Sequence, residues 1–212
     1  GNMTDGILVV VSGFSGSGKG TLMKKLVSEY DNYALSVSAT TRTPRTGEQE
    51  GREYFFKSRQ EFEKLIENDE LIEYASFCNN YYGTPRDYVL EQRKNGKDVS
   101  LEIEVQGALK VKEKYPDAML IFITPPNADI LKDRLVNRGT ECADAIKARL
   151  QQAVWEAGCM DKYDYVLIND DLDRAVKELN EIIVKRGALK TNNTEFIEKI
   201  KDDLKTIFRE EE

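Results

Sequence analysis

The chain predicts an α/β fold, a parallel sheet covered by helices on both faces, interrupted by a mixed β/α insert. Three observations carry this reading. Four apolar runs (6–12, 99–105, 118–124 and 165–169) are each followed by apolar residues at helical spacing. Runs that are apolar throughout suit strands buried on both faces, and strand–helix alternation is the pattern of parallel β–α–β units. Between about 38 and 84 the rhythm breaks into short strand-like pieces and polar turns, which predicts an inserted, partly antiparallel subdomain.

Taken in order, the β-branched run 7–11 leads through Gly13, Gly16 and Gly18 into Leu22, Met23, Leu26 and Val27 at helical spacing. Residues 34–38 read as a short strand, 40–52 as a polar stretch and 54–57 as a strand. Phe62, Leu65 and Ile66 share one face of a helix over 60–68, and 70–77 reads as a strand. A helix runs from Thr84 to the Asn95-Gly96 turn. The strand 99–105 precedes a helix over 108–115 stopped by Pro116, and the strand 118–124 ends at Pro125-Pro126. A helix over about 129–137, a polar break at 139–143 and a longer helix to about 157 follow. The strand 165–169 and a helix over 172–186 close the core, which Gly187 punctuates. From 194 onward Phe196, Ile197, Ile200, Leu204, Ile207 and Phe208 form an amphipathic helical stripe. Packing on its own core is the expectation, with a dimer contact as the sharper alternative. No internal repeat or low-complexity tract is present.

At 212 residues the chain suits one core with inserted subdomains. Gly1-Asn2 ahead of Met3 reads as a tag remnant and is set aside. No apolar run approaches the length of a membrane span, and no basic region leads into an apolar leader segment. The three cysteines, Cys78, Cys142 and Cys159, are odd in number and lack CxxC spacing. Reduced thiols in a cytoplasmic setting are expected, without a zinc site. The net charge of −7 argues against nucleic-acid binding. There is no histidine, which excludes a Ser-His-Asp triad. Phosphoryl transfer, which depends on positioning and charge neutralisation, is compatible with that absence.

Residues 13–21 read Gly-Phe-Ser-Gly-Ser-Gly-Lys-Gly-Thr. This is the phosphate-binding loop pattern G-x-x-x-x-G-K in its strand–loop–helix setting. Gly13, Gly16 and Gly18 let backbone N–H groups turn toward an anion, the following helix directs its positive end there, and Lys19 adds a point charge. Ser15, Ser17, Gly20 and Thr21 complete the loop. Gly20 stands where a hydroxyl residue usually ligates Mg²⁺. No direct metal ligand is therefore assigned, and Thr21 is the single candidate. Mg²⁺ held mainly by water and nucleotide oxygens suits an ion that dehydrates reluctantly.

Further motifs follow: Ser38-Ala39-Thr40-Thr41-Arg42-Thr43-Pro44-Arg45, then Tyr54, Ile72-Glu73-Tyr74-Ala75, Asn80-Tyr81-Tyr82-Gly83-Thr84, Glu102-Ile103-Glu104-Val105-Gln106-Gly107 and Arg138-Gly139-Thr140-Glu141. Singly, such arginines are usually solvated surface, the tyrosines core aromatics and Glu73 an edge charge. In this order, behind the phosphate loop, they closely resemble the guanylate kinase family over about 7–186.

The resemblance implies an ATP-dependent phosphorylation of GMP to GDP in purine metabolism, with ATP as donor and Mg²⁺ as cofactor. It implies that Arg42, Arg45, Tyr54 and Tyr82 hold the GMP phosphate, and that Ser38, Glu73 and Thr84 surround guanine. Glu102 and Glu104 would stand at a strand end by GMP; Glu104 is one methylene longer than the aspartate common there. Arg134, Arg138 and Arg149 would neutralise the transferring phosphoryl group, and with Lys19 and Arg42 form the catalytic set. Asn169 and Asp170 would lie near the ATP adenine. It further implies a kinase domain over 3–187, with a core at about 3–37, 85–137 and 150–187, a GMP-binding insert at 38–84 and a small helical lid at 138–149. Residues 188–212 would form a C-terminal amphipathic helix. Monomer and homo-oligomer are equally compatible with the chain. A kinase for AMP or dTMP, a protein-binding scaffold that has lost catalysis, and a GTPase are the rival readings. The residues around Glu73 and Tyr82 oppose the first, the intact loop opposes the second, and the missing N-K-x-D motif opposes the third.

Overall fold

A computed structural model describes residues 5–136, 142–186 and 193–211. The strands are β1 (Leu8–Gly13), β2 (Tyr33–Leu35), β3 (Ser38–Thr40), β4 (Tyr54–Phe56), β5 (Leu71–Phe77), β6 (Asn80–Pro85), β7 (Asp98–Glu102), β8 (Met119–Thr124) and β9 (Tyr165–Ile168). The helices are α1 (Lys19–Glu29), α2 (Arg59–Glu67), α3 (Arg86–Lys94), α4 (Val105–Lys114), α5 (Ala128–Val136), α6 (Ala143–Gly158), α7 (Leu172–Val184) and α8 (Thr194–Glu210), with a 3₁₀ turn at Met160–Lys162.

The fold is α/β, as the alternation predicts. A five-stranded parallel sheet runs in the order β2–β7–β1–β8–β9 and is flanked by helices. Every residue of β8 is buried, as are Leu8 to Ser12 of β1, which explains why these runs carry no polar alternation. A second, mixed sheet runs β4–β3–β6–β5. In it β3 pairs parallel with β4 and antiparallel with β6, and β5 pairs antiparallel with β6, with a register shift between Leu71 and Tyr74.

The chain divides into two compact units. Gly1–Val10 with Asp31–Ala118 form the first, and Val11–Tyr30 with Met119–Glu212 the second. In the first, Phe62, Ala39 and Leu71 form a small core beneath the second sheet, and the Phe62 ring stacks on Tyr81 at 4.9 Å. Helix α2 starts at a capping box: Ser58 Oγ accepts from Glu61 N at 3.1 Å and Ser58 N donates to Glu61 Oε1 at 2.8 Å. In the second unit Phe14 meets Phe122 edge-on at 4.9 Å, and α1 packs against α7. Helix α8 packs against α5 and α6 and buries Ile200, Leu204 and Ile207, the self-packed alternative for the C-terminal stripe.

Boundaries differ from expectation at several points. The single strand expected at 34–38 is two: β2 joins the large sheet and β3 the mixed one, with Ser36-Val37 between them and no glycine or proline to mark the change. The run 99–105 is strand only to Glu102. The Glu104 carboxylate accepts from Gln106 N at 2.9 Å and Gly107 N at 2.6 Å, so it caps α4 and Val105 is already helical. Residues 80–85, carried as a motif, form β6, so Thr84 lies in a strand and the helix expected from it starts at Arg86.

Candidate active site

The second unit builds the phosphate loop. Apolar β1 ends at Gly13, where an added Cβ would stand 2.7 Å from Ile123 O and 2.9 Å from Ser17 Oγ. The loop turns with Ser17 N donating to Phe14 O at 3.0 Å. Gly18 has φ 80° and caps α1 without a side-chain bond. A Cβ there would stand 2.7 Å from Asn169 Nδ2, so glycine answers both a left-handed backbone and a close approach. The first turn of α1 holds no acidic residue, which leaves its N–H groups and positive end available to an anion. Lys19 opens that helix and makes no ion pair among the described residues. The buried Ser17 hydroxyl has no hydrogen-bond partner. Ser15, Gly20 and Thr21 are exposed.

Two neighbours brace this loop. Arg134, on α5, donates from Nη1 to Gly16 O at 2.7 Å. Asn169, just past β9, donates from Nδ2 to Ser17 O at 3.0 Å, while its own N–H donates to Thr124 O at 2.8 Å. Gly16, Gly18, Thr21, Arg134, Asn169, Asp170 and Leu172 line one cleft. Of the predicted donor-side residues this brings together the loop, Arg134 and Asn169. Arg149, on α6, donates to Leu135 O at 3.3 Å and so reaches α5 next to Arg134. Arg138 lies outside the described residues.

The first unit builds a second constellation on the mixed sheet. Register places Ser38 opposite Tyr54 and Thr40 opposite Tyr82, and the two tyrosine rings meet at 6.0 Å. The Arg42 guanidinium lies 5.1 Å from the centre of the Tyr54 ring. Its Nη1 and Nη2 donate to Glu48 Oε1 and Oε2, both at 2.9 Å, and Arg45 N donates to Glu48 Oε1 at 2.7 Å. Hydrogen bonding from Arg42, then from the Arg45 amide, holds the Glu48 carboxyl below its ordinary range. Glu48, first of all, raises the Arg42 pKa in turn. The sequence reading gave Glu48 no role; an acid six residues beyond the first arginine of T-T-R-x-P-R was the available signal.

Glu73 on β5 accepts from the fully buried Thr84 hydroxyl at 2.8 Å. Burial is the main cause that raises the Glu73 carboxyl above its usual range; the Thr84 bond opposes it, repulsion from Glu104 adds to it and Lys110 offsets part. A Cβ on Gly107 would stand 3.1 Å from Glu104 Oε1 and 3.7 Å from Glu73 Oε2, so both carboxylates border the start of α4. Glu102 ends β7 and is exposed. The mixed sheet thus carries an arginine–tyrosine cluster and a half-buried acceptor carboxylate. Among the described residues no group of three Cys, Asp or Glu side chains could hold a metal ion, and no helix is long and apolar enough to cross a membrane.

Comparison with known proteins bears on these two sites. A family model described as guanylate kinase matches residues 6–186. The chain is 46% identical over 198 residues to a guanylate kinase of Caldanaerobacter subterraneus subsp. tengcongensis, covering 93% of this chain and 96% of that one. It is 52% identical over 178 residues to one of Oceanobacillus iheyensis, covering 84% and 86%. The crystal structure of guanylate kinase from Anaplasma phagocytophilum is similar with a TM-score of 0.65 at 33% identity, covering 87% of this chain and 88% of that one.

Proposed function

This chain belongs to the guanylate kinase family, and on that premise we propose that it phosphorylates GMP to GDP with ATP, the phosphate loop holding the donor and the mixed sheet the acceptor. The observation that carries the acceptor assignment is Glu73, a half-buried carboxylate held by the buried Thr84 hydroxyl on the same mixed sheet as the arginine–tyrosine cluster. Guanine presents N1–H and its amino group as adjacent donors, which a carboxylate accepts as a pair. Adenine has an acceptor at N1 and would leave the half-buried carboxylate without a donor from the base, a mismatch of the kind that discriminates by roughly 10⁴-fold.

On this reading Arg42, Arg45, Tyr54 and Tyr82 hold the acceptor phosphate. Glu48 accepts from two Arg42 nitrogens and so fixes the guanidinium plane, whose remaining N–H groups would meet a phosphate dianion. The attacking oxygen belongs to a phosphate and is already anionic, so no protein base is needed. What remains is alignment and charge neutralisation. The loop N–H groups and Lys19 fix the donor phosphates. Arg134 and Arg149, with Arg138, offset charge on the transferring group.

Mg²⁺ fits the residues present as an ion held mostly by phosphate oxygens and water. A side chain at Gly20 would meet nothing within 4 Å, and exposed Thr21 lines the same cleft, so Thr21 is the protein group nearest such a role. When bound, the ion would neutralise phosphate charge. The insert at 38–84, the lid at 138–149 and a cytoplasmic location belong to the same proposal. The mixed sheet supports the insert, and three free thiols support a reducing compartment.

The test is a coupled assay of ADP formation with GMP, AMP and dTMP as acceptors. Turnover of GMP at least about 10³-fold more efficient than AMP is expected. Equal use of AMP would overturn the acceptor assignment.

A further inference from the structure

Helix α8 lies beyond the residues matched by the family model, which end at 186, yet it is tied to the second unit at both ends. At its start, Asn193 Nδ2 donates to Val166 O on β9 at 2.6 Å. At its last turn it contacts two other helices separately. Lys132 of α5 pairs with Glu211 at 3.5 Å, and Lys147 of α6 stands 6.0 Å from the centre of the Phe208 ring. Between the ends, Ile200, Leu204 and Ile207 are buried where α8 packs on α5 and α6.

Those two helices carry the cations of the donor site. Arg134 leaves α5 so close to the phosphate loop that an added Cβ on Gly16 would stand 3.0 Å from its own Cβ. Helix α5 is described over Ala128–Val136, and a segment of that length keeps its place by packing rather than by helix propensity alone. Arg149 of α6 bonds the Leu135 carbonyl, so the two arginine-bearing helices are linked again beside Arg134. A shift of α5 relative to α6 would therefore loosen both arginines at once.

We propose that α8 is a positioning element for catalysis: it clamps α5 to α6 and thereby holds Arg134 on the phosphate loop. This rests on the reading of that loop as the donor site. None of the α8 residues concerned lines the cleft at the phosphate loop. Their effect passes through Arg134 and is confined to the transfer step, leaving acceptor binding in the first unit alone.

The experiment uses the full chain carrying Lys132→Ala with Phe208→Ala, each alone and in combination, with and without Arg134→Ala. Steady-state kcat and KM for both nucleotides are measured well below the melting temperature. The clamp predicts that the pair of substitutions lowers kcat roughly tenfold, with KM for GMP within about twofold. It predicts almost no further loss in the Arg134→Ala background, because the residue being positioned is gone. Lys132→Arg with Phe208→Tyr should restore the rate. A kcat unchanged by the pair, or lowered by the same factor with and without Arg134, overturns the clamp. Should Phe208→Ala unfold the chain, the half-exposed Lys132→Ala carries the same comparison. Failure of the unaltered chain to form GDP instead overturns the donor-site reading beneath it.

Discussion

Glu73 is the residue on which acceptor choice turns. Its carboxyl titrates above the usual range because burial penalises the charge. The unfolded chain releases this proton at lower pH than the folded one. Over the window between the ordinary and the raised value the native state thus binds more protons, and stability falls as pH rises through it. Binding of guanine runs the other way, since it needs the ionised form. GMP affinity should therefore weaken on acidification, starting above the ordinary carboxylate range. Glu73→Gln should lose roughly 10- to 100-fold in GMP affinity and flatten that acid limb without loss of stability at neutral pH. Calorimetric titration across the acid to neutral range, beside thermal melts, checks both; an unchanged acid limb in the variant assigns the titration elsewhere. Glu73 was legible from its place in an ordered set of motifs. Glu48 was not, because an acid in a polar turn looks like solvated surface until the fold closes it onto Arg42 with their side chains 13% and 17% exposed.

At the scale of elements, the mixed sheet depends on one glycine. A Cβ on Gly83 would stand 2.9 Å from Glu73 O, 3.0 Å from Phe62 Cζ and 3.0 Å from Tyr74 Cβ. Gly83→Ala should cost about 1–3 kcal/mol of stability and displace the β5–β6 pairing that seats Glu73 against Thr84. A thermal melt and a GMP titration would both register it, and a fully stable variant with native affinity would show the sheet to be more yielding than this. The long apolar strands and the periodic helices were readable because burial on two faces leaves a continuous signal. Strands β2, β3 and β6 were blurred or missed. Strands β2 and β3 have three residues each, and pairing rather than local propensity defines them; β6 pairs with β5 across the Cys78–Asn79 turn, which no glycine or proline marks. The end of β7 was misplaced because Val105 suits a strand, while the Glu104 cap that starts α4 is visible only as hydrogen bonds.

Across the whole molecule, the two constellations fall on separate units: the phosphate loop with Arg134 and Asn169 on one, Glu73 with the arginine–tyrosine pocket on the other. A transfer between two nucleotides needs each to be bound in its own right, so changes in one unit should leave the other's ligand in place. Lys19 supplies the sharpest case. It sits at the positive end of α1, in the unit that lacks Glu73. The measurement that tests the account most directly is GDP formation by Lys19→Ala alongside GMP binding by calorimetry. The account predicts turnover reduced by about 10²-fold or more with GMP affinity within about twofold of the unaltered chain. Turnover at the unaltered rate, or GMP affinity lost along with turnover, would contradict it.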